Sequence, residues 1–156
     1  MKITAGKLAG LKAVSTESGT IAAAAMDQRG SLKKALAKES GHDVSDIMME
    51  EFKGAVTEVL TPHASAILLD PQWGIEPSKK RSANAGLLLA YEESGYDNTR
   101  PGRLPDLLPL WSVRRLKEAG ANCVKVLLYY TPRDTAEVNQ EKHAFVERIG
   151  DECRTN

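Results

Sequence analysis

Four segments of this chain are apolar almost without interruption, and three of them stop at a carboxylate: Thr20 to Asp27 (TIAAAAMD), Ser65 to Asp70 (SAILLD), Gly86 to Glu92 (GLLLAYE) and Cys123 to Tyr130 (CVKVLLYY). A strand with one wet face alternates apolar and polar residues; a run without alternation must be covered on both faces, as in a parallel sheet flanked by helices. Helical or helix-plus-loop segments separate the runs, so the expected class is α/β with a parallel sheet. An open doubly wound sheet that binds nucleotides carries a Gly-rich turn after its first strand. The turn here is Asp27-Gln28-Arg29-Gly30, and G-x-G-x-x-G occurs nowhere. A (β/α)8 barrel instead collects the polar ends of its strands at one rim. Asp27, Asp70, Glu92 and the polar residues beyond Tyr130 suit that arrangement.

The connecting segments follow helix rules. Ile3, Leu8, Leu11 and Val14 predict a short cap helix over Lys2 to Val14, within an N-terminal stretch of residues 1–17. Ser31 is the expected N-cap of LKKALAKE, which Gly41 ends. Ser45 opens a longer helix closed by Thr61-Pro62, with Ile47, Met48, Phe52, Ala55, Val56, Val59 and Leu60 expected on its buried face. Trp73 to Ala85 has room for one short helix, and Lys79-Lys80-Arg81 within it reads as a solvated face. Ser94 to Gly102 is a long turn-rich loop, of the kind that often carries function. Pro105 to Ala119 is predicted helical with Leu107, Leu108, Trp111 and Leu116 inward, and a last helix begins near Thr135 with Val138, Phe145, Ile149 and Cys153 on its inner face. A length of 156 residues suits a single domain.

Charge and composition exclude several partners. The 21 basic and 21 acidic residues are scattered and cancel, which leaves no basic face for nucleic acid. No apolar run approaches a bilayer span and no signal peptide is visible, so a cytoplasmic protein without membrane contact is expected. His42, His63, His143, Cys123 and Cys153 show no ligand spacing, so neither a metal nor another cofactor is expected, and both thiols read as reduced.

Two places carry chemistry. Asp27-Gln28-Arg29 presents a carboxylate, an amide and a guanidinium at a strand end, where Asp27 can do acid/base or orienting work and Gln28 and Arg29 can bind substrate oxygens; a strand-end turn with an ion pair is the bland alternative. Lys125 sits among apolar residues, where an unpaired ammonium costs several kcal/mol. Asp27 is its natural partner, and its pKa is expected to fall far enough to make it a base or an amine nucleophile. The alternative is an edge lysine reaching water.

Five blocks, AAAAMDQRGSLKKALAK, LTPHASAILLDPQWG, AGLLLAYEESGYD, RLPDLLPLWSVRRLKEAGANCVKVLLYY and VERIGDEC, resemble in order and spacing the class I tagatose-1,6-bisphosphate aldolases of bacterial lactose and galactitol breakdown. The sulfosugar-phosphate aldolases share fewer of them. The resemblance implies about the first four β/α units of a (β/α)8 barrel that cleaves tagatose 1,6-bisphosphate into dihydroxyacetone phosphate and glyceraldehyde 3-phosphate through a lysine Schiff base. It implies phosphorylated ketose and triose ligands, Asp27 as the strand-1 carboxylate, Gln28 as a substrate contact and Lys125 as the accessory lysine of strand 4. The Schiff-base lysine and the acid/base glutamate are expected beyond residue 156, so the segment alone is expected to be inactive. Three other expectations stand beside this one: a non-catalytic sugar-phosphate-binding or regulatory half-barrel, a related sulfosugar-phosphate aldolase, and a transaldolase-like enzyme with the imine on Lys125. Four strands would leave the outer sides of the first and last unpaired and Ile21, Leu68, Leu88 and Val124 on an uncovered inner face, so a homo-oligomer or a complex with a C-terminal half is expected.

Overall fold

The computed structural model describes residues 3–156, so Lys2 of the expected cap helix lies outside the described residues. Along the chain run α1 (Ala5–Val14), β1 (Ala23–Ala25), α2 (Gly30–Ser40), α3 (Asp46–Leu60), a 3-10 turn (Thr61–His63), β2 (Ala66–Leu69), α4 (Ile75–Ser78), β3 (Gly86–Ala90), α5 (Val113–Glu118), β4 (Cys123–Lys125) and α6 (Ala136–Thr155). The four strands form one parallel sheet in the order β1-β2-β3-β4. Sequence neighbours are spatial neighbours throughout, so the sheet lacks the order reversal that defines a doubly wound fold.

Period-two alternation divides each strand between two environments. Ile67 and Leu69 of β2 and Leu87 and Leu89 of β3 are fully buried against Leu116 of α5 and Ile149 of α6, which form the main core. Leu68 and Leu88, paired in register, face the other side and are only half-buried. Ile21 is exposed, whereas Val124, registered with Leu89, packs on the helix-covered core and not on the open face. A second cluster, Val44, Met49 and Trp73, seats α2 and α3 against the turn after β2.

The expected strands are longer than the paired ones. Beyond β1, Ser65 N–H donates to Ala22 O and Met26 N–H to Leu68 O, so the run stays extended past its ladder. β4 stops at Lys125 because its neighbour β3 stops there: the last contact is Tyr91 N–H to Lys125 O at 2.8 Å. The predicted helix over Pro105 to Ala119 is confined to Val113–Glu118. Pro105 and Pro109 lack donors, and residues 106–108 instead clamp the end of β3, with Leu107 bridging Glu92 and Leu108 N–H donating to Tyr91 O. Ser112 then caps α5 by accepting from Arg115 N–H. Ser45 and Thr135, at the expected starts of α3 and α6, cap these helices, but α2 begins one residue before Ser31, with Arg29 in the cap position and no side-chain cap.

Two helix faces differ from their apolar stripes. α3 buries Met49, Lys53, Gly54 and Thr57, while Ile47 and Val59 are 68% and 67% exposed. α1 buries Val14 and leaves Leu8 and Leu11 exposed, as is Ile3 just before it. Its contact with the sheet runs through small residues: a Cβ on Gly10 would lie 2.4 Å from Asn122 O, and one on Gly86 would lie 2.3 Å from Ala13 O. Backbone oxygens cannot rotate aside. Gly86→Ala should therefore cost about 1–3 kcal/mol in urea denaturation; an unchanged midpoint would mean that α1 is free to shift off the sheet.

Candidate active site

Lys125 ends β4, in register with Ala90 of β3. Glu92 lies two residues past Ala90, and Asp27 two residues past Ala25 at the end of β1. Alternation therefore sends Asp27, Glu92 and Lys125 to the same sheet face, opposite the helix-packed core. On a flat sheet β1 and β4 would be three strand spacings apart, about 14 Å, too far for lysine and aspartate side chains to meet. Yet Lys125 Nζ donates to Asp27 Oδ2 at 2.9 Å and to Glu92 Oε1 at 2.5 Å. The sheet is curled at its C-terminal end, with these three groups on the concave side.

The triad is sheltered but reachable: the side chains of Lys125, Asp27 and Glu92 are 29%, 16% and 4% exposed. Burial by itself depresses the Lys125 ammonium, but hydrogen bonds and charge from Glu92 and Asp27 outweigh it and hold the pKa above the ordinary lysine value. This overturns the expectation that the Lys125 pKa falls to give a base or amine nucleophile: one carboxylate was foreseen, and two are present. Lys125 is an ammonium at neutral pH.

A group whose folded pKa is raised stabilises the fold fully below its unfolded pKa, about 10.4 for lysine, and loses that contribution as pH rises through the folded value. The stability gap between wild type and Lys125→Met should therefore be full up to pH about 10 and shrink as pH rises beyond about 10.4 in urea titrations. A constant or widening gap would contradict the raised pKa. Lys53 shifts the other way but is common to both proteins.

Arg29 is buried; its Nη2 donates to Glu92 O at 2.7 Å, and its Nε has no protein partner. Glu92 Oε2 is likewise buried without one. Gln28 is exposed beside them. The loop after β3 folds back on itself through Asp97 N–H to Leu104 O, and Arg103 lies over the rings of Tyr96 and Tyr129 at 5.3 and 5.2 Å. Among the described residues no group of three or more His, Cys, Asp or Glu side chains is arranged to hold a metal, and Cys123 and Cys153 are free thiols.

Sequence reasoning assigned no role to Glu92 or to the pair Lys53–Asp70, whose side chains are both 0% exposed. Asp70 gave a signal, since a carboxylate closing a fully apolar strand needs a partner. Lys53 gave none, because a lysine on an amphipathic helix reads as solvent-facing. Burial lowers the Lys53 pKa, opposed by the hydrogen bond and charge of Asp70 and by the charge of Asp27.

A parallel sheet with a lysine held between carboxylates at the C-terminal ends of its strands is the setting of an α/β enzyme site, and the sequence matches the DeoC/LacD family aldolase profile over residues 21–156. The chain belongs to that family. It is 54% identical over 153 residues to tagatose 1,6-diphosphate aldolase 2 of Enterococcus faecalis (strain ATCC 700802 / V583), covering 98% of this chain and 46% of that protein. It is 52% identical over 155 residues to tagatose 1,6-diphosphate aldolase of Listeria monocytogenes serotype 4a (strain HCC23), covering 99% and 45%. With tagatose 1,6-diphosphate aldolase 1 of Streptococcus mutans serotype c (strain ATCC 700610 / UA159) the identity is 49% over 154 residues, covering 99% and 47%. The chain thus spans about half the length of the curated relatives it matches. No described helix is long and apolar enough to cross a membrane.

Proposed function

We propose that the chain forms the first four β/α units of a (β/α)8 barrel and contributes the strand-1 and strand-4 side of a class I aldolase site for D-tagatose 1,6-bisphosphate. The observation that carries this reading is the placement of Lys125 Nζ between Asp27 and Glu92 across the curled end of the sheet. The consecutive parallel order β1-β2-β3-β4 supports the barrel, as does the curl that brings the first and last strands within side-chain reach.

In this reading a lysine outside residues 1–156 forms the imine with the ketone of the substrate. The C4 hydroxyl gives up its proton to an acid/base carboxylate outside residues 1–156, the C3–C4 bond breaks, and its electron pair moves into the iminium to give an enamine. Glyceraldehyde 3-phosphate leaves, protonation of the enamine and hydrolysis release dihydroxyacetone phosphate, and no metal is needed. Lys125, kept as an ammonium, stabilises negative charge near the ketone oxygen and C4 alkoxide. Asp27 orients Lys125 by accepting its hydrogen bond. Gln28 and Arg29 serve the oxygens of the phosphorylated substrate. An ammonium is not a nucleophile, so the geometry favours an accessory role for Lys125 over an imine on Lys125 itself.

The test is a chimaera in which residues 1–156 replace the matching segment of the Enterococcus faecalis relative. It should cleave tagatose 1,6-bisphosphate, and borohydride with dihydroxyacetone phosphate should trap an adduct on a lysine outside residues 1–156. A folded but inactive chimaera, or an adduct on Lys125, would remove the assignment.

A further inference from the structure

The most deeply buried ammonium of the described residues is not at the triad but behind it. Lys53, on α3, donates to Met26 O and Gln28 O at 2.8 Å each and to a carboxylate oxygen of Asp70. The other Asp70 oxygen accepts from Gln72 N–H at 3.0 Å and Trp73 N–H at 2.9 Å. All three ammonium protons are thus committed, and their anchor is itself anchored.

The two carbonyls are those on either side of Asp27. At this point the chain has left the sheet: Met26 N–H makes the last bond to β2, through Leu68 O, and α2 opens at Arg29 without a side-chain cap. A stretch between the last rung of a ladder and an uncapped helix has few constraints of its own. Lys53 supplies them from below. Stability does not call for a charge there, because apolar replacements of a buried ion pair are often neutral or stabilising. What an ammonium can do and an apolar side chain cannot is grip two carbonyl oxygens at once.

We propose that Lys53, seated on Asp70, is a positioning residue that fixes the backbone on both sides of Asp27 and so sets the Asp27 carboxylate against Lys125. It touches neither substrate nor reacting atoms. Its importance for turnover rests on the aldolase reading; its effect on the Asp27–Lys125 pair does not.

The primary experiment needs no activity. In the 156-residue chain, Lys53→Met combined with Asp70→Asn removes both buried charges together, and the Lys125 ammonium is titrated by 15N and 13C NMR of its side chain. Its pKa should drop towards the ordinary lysine value, while Leu116→Ala, a core truncation remote from Asp27, should leave it in place. An unchanged Lys125 titration in the double variant, or an equal drop in the control, would overturn the proposal. If the double variant does not fold, Lys53→Gln with Asp70→Asn, which retains an amide donor for one carbonyl, should give a smaller drop; failure of both variants to fold would make Lys53 a folding residue and also overturn it. In the chimaera the same double variant should lower kcat by about 10²-fold with KM little changed, the signature of a misplaced group. A KM effect alone would count against positioning. If the chimaera is inactive while the Lys125 titration moves, the aldolase reading fails and the positioning role stands.

Discussion

Lys125→Ala, introduced into the chimaera, should lower kcat for tagatose 1,6-bisphosphate cleavage by about 10²–10⁴-fold, the range for loss of a positioned acid or charge-stabilising group. The substitution removes the ammonium that bridges Asp27 Oδ2 and Glu92 Oε1, so two carboxylates lose their shared cation as well as the reaction losing its ammonium. These effects separate in the measurement. Loss of the ion pairs lowers the unfolding midpoint, modestly because Lys125 remains partly wet. Loss of transition-state charge lowers kcat in the fraction that stays folded. Asp27→Ala should follow the same pattern with Lys125 retained. Wild-type turnover in either variant would remove that residue from the mechanism.

Lys53→Met should be the most destabilising single change proposed for this chain, by about 3–5 kcal/mol in urea denaturation. It leaves Asp70, fully buried, with its charge unanswered and strips Met26 O and Gln28 O of their donor. Asp70→Leu should cost a similar amount by stranding the ammonium instead. Combining the two should cost far less than their sum, since no unpaired charge remains and an apolar pair fills similar space. Additive losses would mean that the two side chains do not act as a unit. Thr57, one turn along α3, is a useful contrast: its hydroxyl bonds only to Lys53 O of its own helix, so Thr57→Val should be nearly neutral.

The parts of this architecture that were legible are those written in local pattern. An apolar run without alternation, such as SAILLD or GLLLAYE, can be satisfied only where both faces are covered, and β2 and β3 lie within those runs. Ser45 and Thr135 could be read as helix starts because a hydroxyl three residues ahead of a free amide is itself the local solution. Patterns failed where a distant partner overrode them. On α3 the apolar stripe pointed to Ile47 and Val59, but the helix turns Met49, Lys53 and Thr57 inward because Asp70 and two strand-end carbonyls hold Lys53 from inside. The stretch from Pro105 has helical spacing of leucines, yet its backbone pairs with the free end of β3. On α1 the leucines were read as the contact, and glycine at position 10 makes it, because close approach to Asn122 O leaves no room for a side chain.

The candidate site divides in the same way. That Asp27 and Lys125 need partners, and that Asp27, Asp70 and Glu92 close their strands, follows from the sequence alone, since a charge bordering an apolar run must be answered wherever the chain places it. Which charges answer one another was decided by tertiary structure. Curling of the sheet brings its first and last strands together and gives Lys125 two carboxylates instead of one, raising a pKa that sequence reasoning expected to fall. Asp70, equally placed at a strand end, is drawn away to Lys53. Curvature and helix rotation are sums over many contacts far apart in the chain, and no local spacing encodes them.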